Sequence, residues 1–502
     1  MAKRTRTGKT NRVQRVVVTE SGHTSPGLAP AAAPSKGRKL DRALGLPAAA
    51  SIIVGIVIGS GIFRTPDFVA DNVQTTGLIL LAWILGGVLV LFGALSYAEL
   101  GAMMPNAGGA YVYMREAYGP LFGFLTGWVS LITNNTAALA GVAVFFGEIF
   151  TDVFNLPRDF GGWSDGRVRI VSMVGVLGLT WANIRGVRIG GGIQVVFTAL
   201  KLSALAFIIV VGFSLAGDGA SRLAPTWPSS FDLSLFQSIG IALVAVLFTY
   251  DGWTNANNVA EEIKDPGKNI PKALLFGTLL VMGVYVIANL SYLWVLGADG
   301  LAAADGRTAA RTMTETIGRG GATFVTTAIL ISLFGTLNGQ CLAYPRIYFA
   351  MARDRLFFQK AAEVHPRFQT PHFSLAIQAV LAILFILWVD YNFLANLVIF
   401  SAFLFYALAV GAVFVLRRKL PDLERPYRTW GYPWVPAAFI VGSALFLVLS
   451  FAGAQEARVN LGFVEFDVLA SVLGLLVILA GVPVYYLWIH RKGAAPAARL
   501  EP

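Results

Sequence analysis

IVGIVIGSGIF (53–63) and FTYDGWTNANN (248–258) are the two stretches on which the reading of this chain turns. Each is a polar, glycine-bearing break inside a long apolar run: Gly59-Ser60-Gly61 in the first run, Thr249-Tyr250-Asp251-Gly252 in the sixth. A helix that unwinds at membrane depth exposes N–H and C=O groups. In hydrocarbon each costs several kcal/mol, so such breaks persist only against protein or a watery cavity. Two breaks at corresponding places in two halves of a chain point to a ligand site between the halves.

Working outward, the 502 residues are 56% hydrophobic and 13% charged, with a mean hydropathy of +0.66. A soluble chain carries about a quarter charged residues. One cysteine, Cys341, excludes an intrachain disulfide framework, and four scattered histidines (His23, His365, His372, His490) give no zinc pattern. No metal, cofactor or nucleic-acid partner is expected.

Twelve apolar stretches have spanning length, near 43–66, 77–101, 119–150, 168–185, 190–216, 236–260, 272–297, 321–350, 374–389, 391–416, 432–453 and 465–489. They predict an all-α membrane protein with twelve transmembrane helices, the first and sixth broken. Residues 1–42 hold ten Lys/Arg against two acidic residues. With the N-terminus inside, 28 Lys/Arg fall inside and 9 outside, which fits the positive-inside rule for a multi-pass cell-membrane protein with both termini cytoplasmic. The 1–42 stretch reads as a disordered basic tail. It either contacts anionic lipid or is simply solvated. Residues 490–502 form a short cytoplasmic C-tail.

The breaks carry chemistry. Ser60 and Gly61 would start the outer half of helix 1, where free N–H groups and the positive dipole end suit a carboxylate. Carbonyls of Phe248, Thr249 and Tyr250 would end the outer half of helix 6 and suit an ammonium group. Opposite dipole ends so close together form a receptor for a zwitterion, that is, an amino acid. Taken alone, the GSG triplet equally suits small-residue helix packing. Lys201 lies about eleven residues inside the fifth span, roughly 16 Å along a helix. That is deep for snorkelling and reads as a functional cation. Its amine can stand in a cation's place or carry a coupled proton. Asp251 has three readings: a ligand for the substrate ammonium, a partner for Lys201, or a cap on the inner half-helix. Asn134 and Asn338 are each a pocket candidate or interhelical glue, and Arg346, on span 8 with Asn338, reads as an inner-gate cation. Glu99 reads as interfacial, and the charges of 261–272 as a solvated loop.

Several segments together resemble the amino acid–polyamine–organocation superfamily, in its L-type amino acid transporter branch of bacterial type. The marks are IVGIVIGSGIF (53–63), ALSYAELGAMMPNAGGAYVYMREAYG (94–119), FTALKLSAL (197–205), FTYDGWTNANNVAEEIKDPGKNIPKAL (248–274), LNGQCLAYPRIYFAMARD (337–354) and RPYRTWGYPWVP (425–436). The resemblance implies a LeuT-like fold of two inverted five-helix repeats, over 43–216 and 236–416, with spans 11 and 12 added at 432–489. It implies that Ser60, Gly61 and the Ile62 N–H hold the substrate carboxylate, and that the Val57, Phe248 and Thr249 carbonyls hold its amino group. It implies that Phe248 is an aromatic gate and that Lys201 replaces a bound sodium. There are departures. Residues 151–167 lack the cysteine that ties some relatives to a heavy subunit, so no disulfide-linked partner is expected. Leu404 makes one expected pocket wall more apolar. Pro345 and Arg355 replace commoner small residues, and the sequence offers no role for either.

The resulting expectation is a sodium-independent secondary transporter of neutral α-amino acids, working by alternating access as an exchanger or a proton symporter. Asp251 keeps cationic amino acids or amines as an alternative. A non-transporting membrane nutrient sensor is the competing class. An enzyme is disfavoured because no nucleophile–base or metal constellation is visible.

Overall fold

The computed structural model describes residues 40–230, 232–388, 391–452, 456–460 and 465–492. The first apolar run is two helices, α1 (Leu46–Val57) and α2 (Gly61–Val73), bent by 44° across Ile58–Ser60. α3 (Thr76–Met103) and the short α4 (Ala110–Tyr118) follow. α5 (Pro120–Val129) and α6 (Asn135–Val153) make one long span whose ladder is loosened by a π-helical turn at Ser130–Asn134. Such turns concentrate at functional sites. α7 (Gly166–Ile184) and α8 (Val187–Leu215) come next.

α9 (Leu233–Thr249) begins where Asp232 accepts the Leu235 N–H at 2.8 Å, a capping bond that holds the Asp232 carboxyl below its usual range. It stops at Tyr250, and the one-turn α10 (Asn255–Asn258) resumes the path. Gly252 in the break takes φ +109°, and a Cβ there would meet Ile56 Cγ2 at 2.6 Å, so only glycine fits. Then come α11 (Pro266–Ala302), α12 (Thr308–Ile317), α13 (Arg319–Ala343) and α14 (Pro345–Arg353). Pro345 is the first residue of α14, a position that needs no N–H donor. α15 (His372–Trp388), α16 (Tyr391–Lys419), α17 (Trp434–Ala452) and α18 (Ala470–Lys492) complete the helices.

Six helical segments among the described residues are long and apolar enough to cross a membrane, and the bent α1–α2 pair makes a seventh. The architecture is helical with one exception. β1 (Glu456–Asn460) and β2 (Glu465–Leu469) form an antiparallel hairpin, with Arg458 opposite Asp467. The hairpin is too short to alter the all-α class of the described residues, and the last helix begins at Ala470, not at 465. Glu-Ala-Arg-Val-Asn and Glu-Phe-Asp-Val alternate polar and apolar residues, the period of a strand.

α1 packs on α8, α11 and α13, and α3 runs along α11. Trp83, Tyr250 and Tyr285 meet at their junction, Trp83 edge-on to Tyr285 with centroids 5.5 Å apart and Tyr250 tilted against Tyr285 at 4.9 Å. The end where α1 begins is closed by polar contacts. Leu44 pairs with Ile263 as a parallel bridge, through Leu44 N–H to Glu262 O (2.9 Å) and Lys264 N–H to Leu44 O (2.8 Å). Arg346 grips Glu262 at 2.8 and 2.9 Å with both side chains fully buried. Glu261 accepts from Arg353 at 2.7 Å and from the Leu40 N–H at 3.2 Å. Thus Glu261 and Glu262 are interior anchors, not part of a solvated loop. Residues 1–39 of the expected tail lie outside the described residues, and Leu40 is buried against Ala107 and Phe349. Glu99 is likewise interior, 1% exposed, held by Arg417 at 2.7 and 2.9 Å and by the Thr429 N–H at 2.6 Å.

Candidate functional site

Three helix ends meet at one cavity. α1 ends there with Val57, α2 starts there with Gly61, and α9 ends there with Phe248 and Thr249. The cavity holds about 100 Å³. Ala137, Ala138, Gly141 and Val142 of α6 line it, as do Leu333, Thr336, Gln340 and Tyr344. Asp251 also lines it. Gly61 is required for the approach of the half-helices, because a Cβ there would lie 2.5 Å from Thr249 Cγ2.

The N–H groups of Gly61 and Ile62 open α2 and have no preceding helical turn to bond. Ser60, at the N-cap, faces the cavity, whereas the Ile62 side chain is buried beside it. On the carbonyl side, the Tyr285 hydroxyl lies 2.9 Å from Val57 O and 3.2 Å from Thr249 O, clamping the ends of α1 and α9 together. Val57 O also accepts the Gly59 N–H at 2.8 Å. The Tyr285 hydroxyl has one hydrogen to share between Val57 O and Thr249 O, and Val57, Phe248 and Thr249 all line the cavity as candidate acceptors for an amino group. Phe248 O accepts the Asp251 N–H at 3.0 Å, and Thr249 O lies 3.2 Å from the Tyr285 hydroxyl.

Lys201 is fully buried on α8. Its Nζ donates to Gly55 O at 2.7 Å, Ile58 O at 2.6 Å and Thr336 Oγ1 at 3.2 Å. Ser332 adds a donor to Ile58 O at 3.0 Å. Lys201 therefore joins α1, α8 and α13 behind the cavity wall, and the pairing with Asp251 left open by the sequence is not made. Asp251 instead accepts the Tyr406 hydroxyl at 2.8 Å.

Asp251 and Tyr344 also line a second, smaller cavity of about 40 Å³. Its lining is mixed, with Thr126, Ser130, Asn134, Asn135, Thr254, Asn255, Asn258 and Tyr406 beside the apolar Ala110, Ile347, Ala402 and Phe405. Asn134 belongs here, receiving Ser401 Oγ at 2.5 Å, and not in the main cavity. Asn338 lines neither. It bonds Gly190 O and Gln194 Oε1, both at 2.9 Å, and receives Asn183 at 3.1 Å, so it is interhelical glue. Leu404 also lines neither cavity and packs half-buried against the core.

Sequence reasoning missed Tyr285, Gln340 and Tyr344. Thr336, Gln340 and Tyr344 recur every four residues, a polar stripe on one helical face inside an apolar span, which was a readable signal. Tyr285 gives no such signal, because its partners are backbone atoms.

A family model described as amino acid permease matches residues 44–478. The chain is 34% identical to a serine/threonine exchanger, SteT, of Bacillus subtilis (strain 168), over 91% of this chain and 98% of that protein. It is 33% identical to the large neutral amino acids transporter small subunit 2 of Mus musculus, over 94% of this chain and 87% of that protein. It is 31% identical to the human b(0,+)-type amino acid transporter 1, over 91% and 90%.

Proposed function

The chain belongs to the amino acid permease family, and from that premise we propose that it is a sodium-independent exchanger of small neutral α-amino acids across the cell membrane. The observation that carries the reading is the single cavity at which an unpaired helix start faces two helix ends. Gly61 and Ile62 supply N–H groups for a carboxylate, with the Ser60 hydroxyl beside them. The carbonyls of Phe248 and Thr249 face the substrate's ammonium group. Lys201 occupies, between α1, α8 and α13, the place of a transport cation and donates to the same carbonyls that a sodium ion would need. The small residues of α6 and the modest cavity favour short side chains, in keeping with the serine/threonine exchanger among the relatives.

In the proposed architecture the apolar helices make twelve crossings. Those over 43–216 and 236–416 are inverted repeats, α17 and α18 are added outside, and both termini are cytoplasmic. With the ion-paired end at Glu261–Arg353 and Glu262–Arg346 closed, the cavity is reached from the α2 side. Transport then requires the α1 end to part from these anchors, which is alternating access. The absence of cysteine from 151–167 supports action without a disulfide-linked heavy subunit.

A second reading, transport of cationic amino acids, is favoured by the half-buried Asp251 carboxylate, which lines both cavities. Counterflow of labelled serine, leucine and lysine into proteoliposomes loaded with each amino acid tests both. Serine-for-serine exchange in choline buffer is expected. Lysine-only exchange, abolished by Asp251→Asn, establishes the second reading and removes the first. No exchange of any amino acid removes both.

A further inference from the structure

Arg64 stands three residues after Gly61 on α2, about 4.5 Å further along the helix at 1.5 Å per residue. It is exposed. Its guanidinium carbon lies 5.0 Å from the ring centroid of Phe145 on α6. Phe145 in turn follows Gly141 by four residues and Val142 by three, and both of these line the cavity. The neighbouring Thr65 hydroxyl receives Thr249 Oγ1 at 3.1 Å, which ties this turn of α2 to another lining residue. A cation and an aromatic ring from the two facing walls therefore meet at the rim of the site. This is the rim away from the second cavity, which lies at Ser130 and Asn134, further back along the same span.

The charges around Arg64 leave it available. Among the described residues no carboxylate forms an ion pair with it. Asp67, one turn on, is within electrostatic reach of Arg64, and its carboxylate accepts the backbone N–H groups of Gly306 and Phe68. Asp152 is taken by Arg158 at 3.1 Å. Glu148, one turn beyond Phe145, is within electrostatic reach of both Arg64 and Arg158. A cation–π contact is the weaker claim on an exposed guanidinium, and a carboxylate offers it two parallel charge-assisted bonds.

We propose that Arg64 is an external docking residue for the carboxylate of an arriving α-amino acid. The guanidinium leaves the Phe145 ring, takes the carboxylate at the rim, and passes it one helical turn inward to the Gly61 and Ile62 N–H groups. A fixed cation at the mouth raises the local concentration of carboxylate-bearing substrate, an effect that salt screens. This rests on the transport reading above and adds to it a residue that acts from one side only.

The test is exchange in proteoliposomes of known orientation, with KM and kcat measured separately from each face at low and high ionic strength. Arg64→Gln is expected to raise KM on the α2 face roughly tenfold, the scale of one lost charge-assisted pair. The loss is carried by KM rather than kcat, and KM on the opposite face stays within about twofold, below the scale of a lost charged contact. Arg64→Lys should recover most of it, because the charge remains. The salt dependence of KM on the α2 face should flatten in Arg64→Gln. A decarboxylated amine competitor should keep its inhibition constant. An unchanged KM on the α2 face overturns the proposal, as does an equal rise on both faces, which marks a structural role. A wild-type protein that exchanges no amino acid removes the transport reading instead, so the two failures are distinct.

Discussion

The amine nitrogen of Lys201 lies 2.6 Å from the carbonyl oxygen of Ile58, the residue at which α1 stops being a helix. The broken end of α1 thus finds its donor on a different helix. Lys201→Ala would leave Gly55 O and Ile58 O to Ser332 and Thr336 alone, at a cost of about 1–3 kcal/mol for under-satisfied buried groups. Sodium-free exchange should fall at least tenfold in this variant, while replacing sodium by choline should not affect the native protein. Normal sodium-free exchange by Lys201→Ala would take Lys201 out of the mechanism, as would strict sodium dependence of the native protein.

The carboxylate end is open to a steric test. Gly61→Val places a side chain against Thr249, whose Cγ2 is 2.5 Å from the position of a Cβ at 61. Ser60→Leu fills the cavity next to the N–H groups. Both variants should reach the membrane and lose substrate binding by more than tenfold. Decarboxylated amines should compete poorly with their parent amino acids, and equal competition would refute the zwitterion receptor.

Tyr285→Phe removes one hydroxyl and leaves the ring packed on Trp83 and Tyr250. Val57 O and Thr249 O lose their shared donor. The expected result is a rise in substrate Kd of roughly tenfold, for about 1–2 kcal/mol of lost hydrogen bonding, with little change in thermal stability. A large drop in melting temperature with unchanged affinity would assign Tyr285 to the core alone.

The buried Glu262–Arg346 pair should be far more sensitive to single than to double substitution. Removing one partner leaves an uncompensated buried charge, at about 3–5 kcal/mol, whereas an apolar pair of similar volume is close to neutral. Glu262→Leu and Arg346→Met should each lower Tm strongly, and the apolar double variant should recover most of it. If the double variant is as unstable as either single one, the pair does not act as a unit.

The proposed sidedness is checked by single cysteines at Ser35→Cys and Ala220→Cys in a Cys341→Ala background. An impermeant thiol reagent applied to intact cells should label position 220 and spare position 35. Labelling at 35 from outside would invert the topology.

The amino-acid sequence alone determined where the chain is apolar, where the apolar runs break, and which residue types stand in the breaks. These are local properties: hydrophobic runs, glycines, and one lysine deep in a span can be read without knowing any neighbour. Partnerships are not local. Only the tertiary structure decided that Tyr285 bridges Val57 O and Thr249 O, or that Asn338 faces Asn183 and Gln194 and not the cavity. The same holds for Glu261 and Glu262, which look solvated in sequence because their charge is visible and the arginines that bury them lie 84 and 92 residues away. The physical reason is that a polar group's role depends on which donor or acceptor meets it. Across helices, that is set by packing between segments far apart in the chain.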